Sequence, residues 1–271
     1  MKKIDVNDPV FQKMVTGNDD IVFNLFYLIR NSENAMIYTD GKNYIVAQSN
    51  YETPVWVYIN GELKDNTVIT ELKELMKASI AQNANVHINA QKEYFQPIMD
   101  ELKKEESITL TEFMPMNVYA CSKVIEVESS GECITPSAEY KQAMAELIKQ
   151  MAKDGENHEL SDTAAQGFAN AMESSENLFL WKDEEIVSMA MIAHRTEKYA
   201  RINTVVTDRK YRGKGYAKML VGEISRKLIE NKMIPMLYAD ARNPSSNLTY
   251  QKIGYVKVGE ITEFAVNFIK S

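Results

Sequence analysis

The feature that most constrains this chain is one stretch, Val205-Val206-Thr207-Asp208-Arg209-Lys210-Tyr211-Arg212-Gly213-Lys214-Gly215-Tyr216-Ala217. It opens as a β-branched run, passes through a basic turn containing two glycines, and leads into a helical pattern from Lys218 to Asn231. A strand, a glycine turn and a helix start, in that order, make a site for an anion. The first N–H groups of a helix have no intrahelical acceptor, and the helix dipole favours negative charge beside them. Gly213 and Gly215 let the backbone approach a phosphate because no Cβ intervenes, while Arg212 and Lys214 add positive charge. Two familiar phosphate loops are excluded. The dinucleotide fingerprint needs a third glycine where Lys218 stands, and the Walker A loop needs Ser or Thr where Gly215 stands.

What remains is Arg-x-x-Gly-x-Ala, read from Arg212, Gly215 and Ala217. A second motif follows, Asn243-Pro-Ser-Ser-Asn-Leu-Thr-Tyr250-Gln-Lys252-Ile-Gly254-Tyr255. Asn243 or a nearby Ser can cap a helix, Pro244 suits its first turn, and Gly254 suits its C-terminal stop. One helix and one strand, Met233 to Asp240, separate the two motifs. Together they resemble the GCN5-related N-acetyltransferases, the GNAT superfamily. The resemblance implies that acetyl-CoA is the cosubstrate, lying in a gap between two splayed parallel strands, Tyr199–Thr207 and Met233–Asp240. It places the diphosphate on Arg212, Gly213, Lys214, Gly215, Tyr216 and Ala217. Backbone groups of Val205, Val206 and Thr207 are expected to pair with the pantetheine arm and polarise the thioester. Asn243 either bonds the pantetheine or a water, or only caps its helix. Tyr250 is the candidate general acid for the leaving thiolate, and the acceptor is the amine of a small molecule. The structural alternative for Tyr250 is a packed aromatic on an amphipathic helix.

The hydrophobic periodicity of residues 129–271 reads β-α-α-β-β-β-α-β-α-β, which is the GNAT order. Residues 1–128 read α-α-β-β-β-α-β-α-β, the same order less the first strand, with Asp8 to Arg30 a helical region broken near Thr16-Gly17. The fold class implied is α/β (α+β): two GNAT-like mixed-sheet domains in tandem, 1–128 degenerate or a cap and 129–271 intact. In the first half the counterpart of the phosphate loop is Gly61-Glu62-Leu63-Lys64-Asp65-Asn66, with one glycine and two acids that repel a diphosphate. The helix Gln91 to Lys104 carries Tyr94 but lacks the Asn-led entry and the Lys-x-Gly-aromatic ending. The first half is therefore expected to bind no CoA. Ile108 to Cys121 reads as extended with an interruption at Met114-Pro115.

The formal net charge is −7. Residues 1–130 hold 12 Lys and Arg against 19 Asp and Glu, so the whole excess lies in the first half. No broad basic face for nucleic acid is expected. No apolar run approaches ~20 residues, and the N-terminus lacks a signal-peptide pattern, so a cytoplasmic protein without a membrane span is expected. Cys121 and Cys133 form no metal-type cluster and read as reduced structural thiols, with no metal site implied. The general base is not evident. Asp240 and Glu197 lie at strand ends, His194 follows an apolar strand and reads as structural, and His87 and His158 have no partners in sequence. The acceptor's identity and the oligomeric state are not readable. The competing functional reading is an acyl-CoA-binding regulatory module whose chemistry has lapsed. Aminoacyl transfer from tRNA by a tandem GNAT fits poorly, because tRNA requires a basic surface.

Overall fold

Two short apolar runs, Tyr44–Gln48 and Val55–Ile59, are buried along their whole length, as strands covered on both faces must be. They lie at the centre of the first of two compact units in this computed structural model, which describes residues 2–5, 7–106, 108–125, 130–156 and 159–268. The first unit comprises 1–118, 239–243 and 258–271; the second comprises 119–238 and 244–257. The sequence-based boundary at 128/129 and His158 both lie outside the described residues.

The first unit begins with β1 (Lys2–Lys3) and three short helices, α1 (Val10–Met14), α2 (Asp19–Val22) and α3 (Leu25–Arg30). The predicted break near Gly17 is present, with that glycine at φ 61°. Then come β2 (Met36–Thr39), β3 (Tyr44–Gln48), β4 (Val55–Ile59), α4 (Asn66–Gln82), β5 (His87–Ala90), α5 (Lys92–Glu106) and β6 (Ile108–Ala120). Strands β2, β3 and β4 form antiparallel pairs, and β4 pairs parallel with β5. Val68, Leu72, Leu75, Met76 and Ile80 of α4 recur at helical spacing and pack with Phe95, Ile98 and Leu102 of α5 over Val46, Val57 and Ile88. The interruption expected at Met114-Pro115 is absent, and β6 runs unbroken from Ile108 to Ala120. Proline removes one donor only; the Pro115 carbonyl still accepts from the Ala241 N–H at 2.8 Å.

In the second unit the elements are β7 (Glu132–Ile134), a 3₁₀ turn at Ala138–Tyr140, α6 (Lys141–Glu156), α7 (Asp162–Met172), β8 (Leu178–Asp183), β9 (Glu185–Arg195), β10 (Tyr199–Thr207), α8 (Tyr216–Glu230), β11 (Ile234–Asp240), α9 (Pro244–Ile253) and β12 (Val256–Phe268). Strands β7 to β10 are joined antiparallel in sequence order, and β10 pairs parallel with β11. Ser161 caps α7, accepting from the Ala164 N–H at 3.2 Å. Met144, Leu147 and Ile148 of α6 meet Leu178, Leu180, Met189 and Val206 in one core.

Most of the last strand of the second half, residues 258–268, belongs to the first unit, whereas β6 stays in the first unit up to residue 118. Within the first unit, β12 lies between β5 and β6 and pairs antiparallel with β5, Thr262 opposite Ala90 and Ala265 opposite His87. Within the second unit, the end of β6 lies beside β11, and the Cys121 N–H donates to the Pro235 carbonyl at 2.9 Å.

Candidate functional site

The site is built on β10 and the turn that follows it. Ala200 and Ile202 are buried and anchor the strand. The register with β9 shifts between Arg201 and Ile202 and again between Asn203 and Val206, and Thr204 takes φ 54°, so the strand is bulged. On its other side β10 pairs with β11 only from Tyr199–Ile234 to Arg201–Met236. Beyond Arg201 the ladder with β11 ends, and the two parallel strands part just before Val205, Val206 and Thr207. Two carbonyls there are already engaged. The Ser188 hydroxyl donates to Val206 O at 2.7 Å, and Arg212 Nε donates to Thr207 O at 3.1 Å. Ser188 Oγ also lies 3.0 Å from Thr207 Oγ1. The side chain of Val206 belongs to the core.

The turn is rigidly built. The Asp208 carboxylate accepts from the Lys210 N–H at 2.8 Å and from Gln150 Nε2 at 3.0 Å. Arg209 and Arg212 share the two oxygens of Asp154 on α6. Hydrogen bonding from Arg209 first, and then Arg212, holds the Asp154 carboxyl below the usual range against the opposing effect of burial. Gly213 and Gly215 take φ 80° and 88°, a region costly for any side chain. Gly215 begins α8 with no side-chain cap, and the first bond into the helix is Met219 N–H to Gly215 O at 3.0 Å. The N–H groups of Tyr216, Ala217 and Lys218 precede it and have no intrahelical acceptor. Tyr216 is buried and its hydroxyl donates to Asp183, while Tyr211 donates to Glu185 at 2.8 Å. Lys214 is exposed, its ammonium 5.2 Å from the centre of the Tyr211 ring.

Asn243 precedes α9, and its N–H donates to the Asp240 carbonyl at 3.0 Å. Tyr250 is 8% exposed. Its ring lies 6.2 Å from Tyr119 and 6.1 Å from Tyr255. Burial pushes its hydroxyl up to about 12, so it is protonated at neutral pH, as a proton donor must be. Behind it Tyr119 donates to Asn247 Oδ1 at 2.9 Å, and the Ser225 and Tyr255 hydroxyls are 2.7 Å apart. Gly254 ends α9 at φ 114°; a Cβ there would stand 2.4 Å from the Lys123 carbonyl oxygen. Only glycine satisfies the helix stop that the sequence marked.

The candidate bases gain little from the structure. Burial alone would raise Asp240, but hydrogen bonds from the Arg242 side chain and backbone outweigh it and hold the carboxyl low. Glu197 is exposed in the β9–β10 turn. His194 is pushed down to about 4, first by burial and then by the charge of Arg201, whose Nε donates to His194 Nδ1 at 3.3 Å. It is a neutral ring committed to a neighbour. Among the described residues no group of His, Cys, Asp and Glu side chains could hold a metal ion, and no helix is long and apolar enough to cross a membrane. Sequence reasoning missed Asp154, Ser188 and Arg201. Only Arg201 left a signal, a cation inside the apolar run Tyr199 to Thr207.

Residues 141–255 match the family model of the acetyltransferase (GNAT) family. The matched segment encloses α6 through the end of α9. No curated protein matches the chain. Solved structures share the fold of nearly the whole chain. A GCN5-related N-acetyltransferase from Sphaerobacter thermophilus superimposes with a TM-score of 0.66 at 12% identity, over 99% of this chain and 94% of that one. One from Kribbella flavida gives 0.60 at 13% identity, over 93% and 96%. A GNAT-family acetyltransferase from Colwellia psychrerythraea gives 0.57 at 13%, over 98% and 99%. At such identities the likeness is one of fold. The chain is a mixed α/β protein of two GNAT-like halves, and its fold is one that supports acetyl transfer.

Proposed function

We propose that this protein transfers the acetyl group of acetyl-CoA to the amine of a small molecule by direct attack on the thioester. The observation that carries the reading is the uncapped N-terminus of α8, standing beside the point where β10 and β11 part. A diphosphate at the N–H groups of Tyr216, Ala217 and Lys218 supplies the acceptors they lack. Lys214 adds charge from an exposed position. Arg212 acts through the loop's shape, since its guanidinium spans Asp154 and the Thr207 carbonyl. Unpaired backbone of β10 near Val205 offers a partner for the pantetheine amides.

In the reaction the amine nitrogen bonds the acetyl carbon and the C–S bond breaks. The ammonium gives one proton to water before attack and the nitrogen a second as the amide forms, and the departing sulfur takes the proton of Tyr250. A phenol at about 12 is a poor match for a thiol in water, at ~8.5. The dry surroundings that raise the phenol also raise a thiol released beside it, so the two move together. Tyr250 is reprotonated from solvent after release.

The test is release of CoA thiol from acetyl-CoA in the presence of a panel of amines, alongside titration of acetyl-CoA. Turnover with any amine supports the enzyme. Binding with no turnover across the panel would instead establish a lapsed, acyl-CoA-sensing module, and absence of both would remove the reading.

A further inference from the structure

The arginines of the turn, of α8 and of the loop after β11 are matched with carboxylates. Arg209 and Arg212 share Asp154, Arg226 pairs with Glu223 and Glu230, and Arg242 pairs with Asp240. Arg201 differs. It is a half-buried guanidinium in a strand whose neighbours Ala200 and Ile202 are fully buried. Its contacts among the described residues are the neutral His194 ring and the face of Tyr238, 5.9 Å from the ring centre. No carboxylate lies within ion-pair distance of it there. A charge removed from water without a counter-charge costs stability, and a neutral imidazole repays little of it.

Geometry explains why such a residue would be kept. His194 accepts from Nε and so fixes the plane of the guanidinium. The two terminal nitrogens remain as a fork, the arrangement that grips a carboxylate by two parallel hydrogen bonds. Arg201 is also the last residue of β10 paired with β11, so the fork stands at the edge where the strands separate. Val205 is four residues further on, at most roughly 13 Å at the rise of an extended strand and less across the bulge at Thr204.

We propose that Arg201 binds a carboxylate on the acceptor, so that the acetylated amine is an amino acid or a similarly small amino-carboxylate. His194 and Tyr238 are positioning residues that hold the fork. The proposal rests on acetyl transfer as the activity.

The test separates the two. The probes are N-acetyl derivatives of the common α-amino acids and of short ω-amino acids, each paired with its neutral amide. They are titrated into the protein while the His194 ring signals are followed by NMR. The expected result is that acids, and not amides, shift these signals. In Arg201→Gln affinity for the acids should fall by tenfold or more, with acetyl-CoA affinity unchanged. Arg201→Lys, which keeps the charge and loses the fork, should fall between, and it decides the matter should Arg201→Gln fail to fold. The inference is overturned if acids and amides bind alike, if neither series binds, or if the substituted proteins bind acids as the native one does. Thiol release with paired amino acids and amino amides reads the activity. Acid binding without turnover would overturn acetyl transfer while leaving the anion site; turnover without acid preference would overturn the anion site alone.

Discussion

At the scale of single residues, the placement of protons matters most. Tyr250→Phe removes one oxygen and keeps the ring between Tyr119 and Tyr255. Turnover should fall by roughly 10²–10⁴, the span of a general acid, with acetyl-CoA affinity little changed. Unchanged turnover would return Tyr250 to the role of a packed aromatic. His194 makes a prediction about stability. Its ring is held at about 4, against an ordinary 6.5, by burial and by Arg201. Between those values the unfolded chain takes up a proton that the folded one refuses. Stability from this residue is therefore full above pH ~6.5, falls as the pH drops towards 4, and is level below that, a loss on the order of 1–3 kcal/mol. Urea midpoints of the native protein and His194→Gln at pH 7 and pH 4.5 check it: the native protein should lose more. These titrations were not legible in the sequence, where His194 was one ring after an apolar strand. Its partner, Arg201, becomes its neighbour only through the pairing of β9 with β10.

At the scale of elements, helix starts decide where an anion can sit. The first turn of α8 lacks a side-chain cap, whereas in α4 the Asp65 carboxylate accepts from the Thr67 N–H at 2.8 Å. Placing a carboxylate in the first turn of α8, as Ala217→Asp does, should leave the helix intact or add about 0.3–1 kcal/mol through the dipole. The same carboxylate occupies and repels the diphosphate position, so acetyl-CoA affinity should drop by tenfold or more in a titration, while the melting temperature holds. Equal losses for acetyl-CoA and acetyl-pantetheine would place the diphosphate elsewhere. Elements were the most readable level of this chain. Helical spacing gave α4, alternation and apolar runs gave β2 to β4 and β8 to β11, and Gly254 marked a helix end. The splay was different. The resemblance implied it, but the residues themselves carry no mark that β10 leaves β11 after Arg201.

At the scale of the whole molecule, the two halves share an order of elements but differ in the turn that precedes the helix. The acidic Gly61–Asn66 turn and its Asp65 cap lead to one acetyl-CoA site per chain, measurable as the stoichiometry of a calorimetric titration. Two sites would mean that the first half binds CoA despite Asp65. The tandem order was legible because each half repeats its periodicities. The crossing of β12 into the first unit was not, since β6 and β12 are both long and placed last in their halves, and only pairing tells which neighbours each takes. The crossing of β12 bears on synthesis. A ribosome that has made residues 1–128 has made every element of the first unit except one, and the missing strand belongs in the middle of its sheet, between β5 and β6. That slot stays open, with β5 lacking its antiparallel partner, until residues 258–268 emerge. The first half to be translated is thus the last to be finished, and a nascent chain stalled in the second half displays an unpaired strand edge to whatever lies nearby.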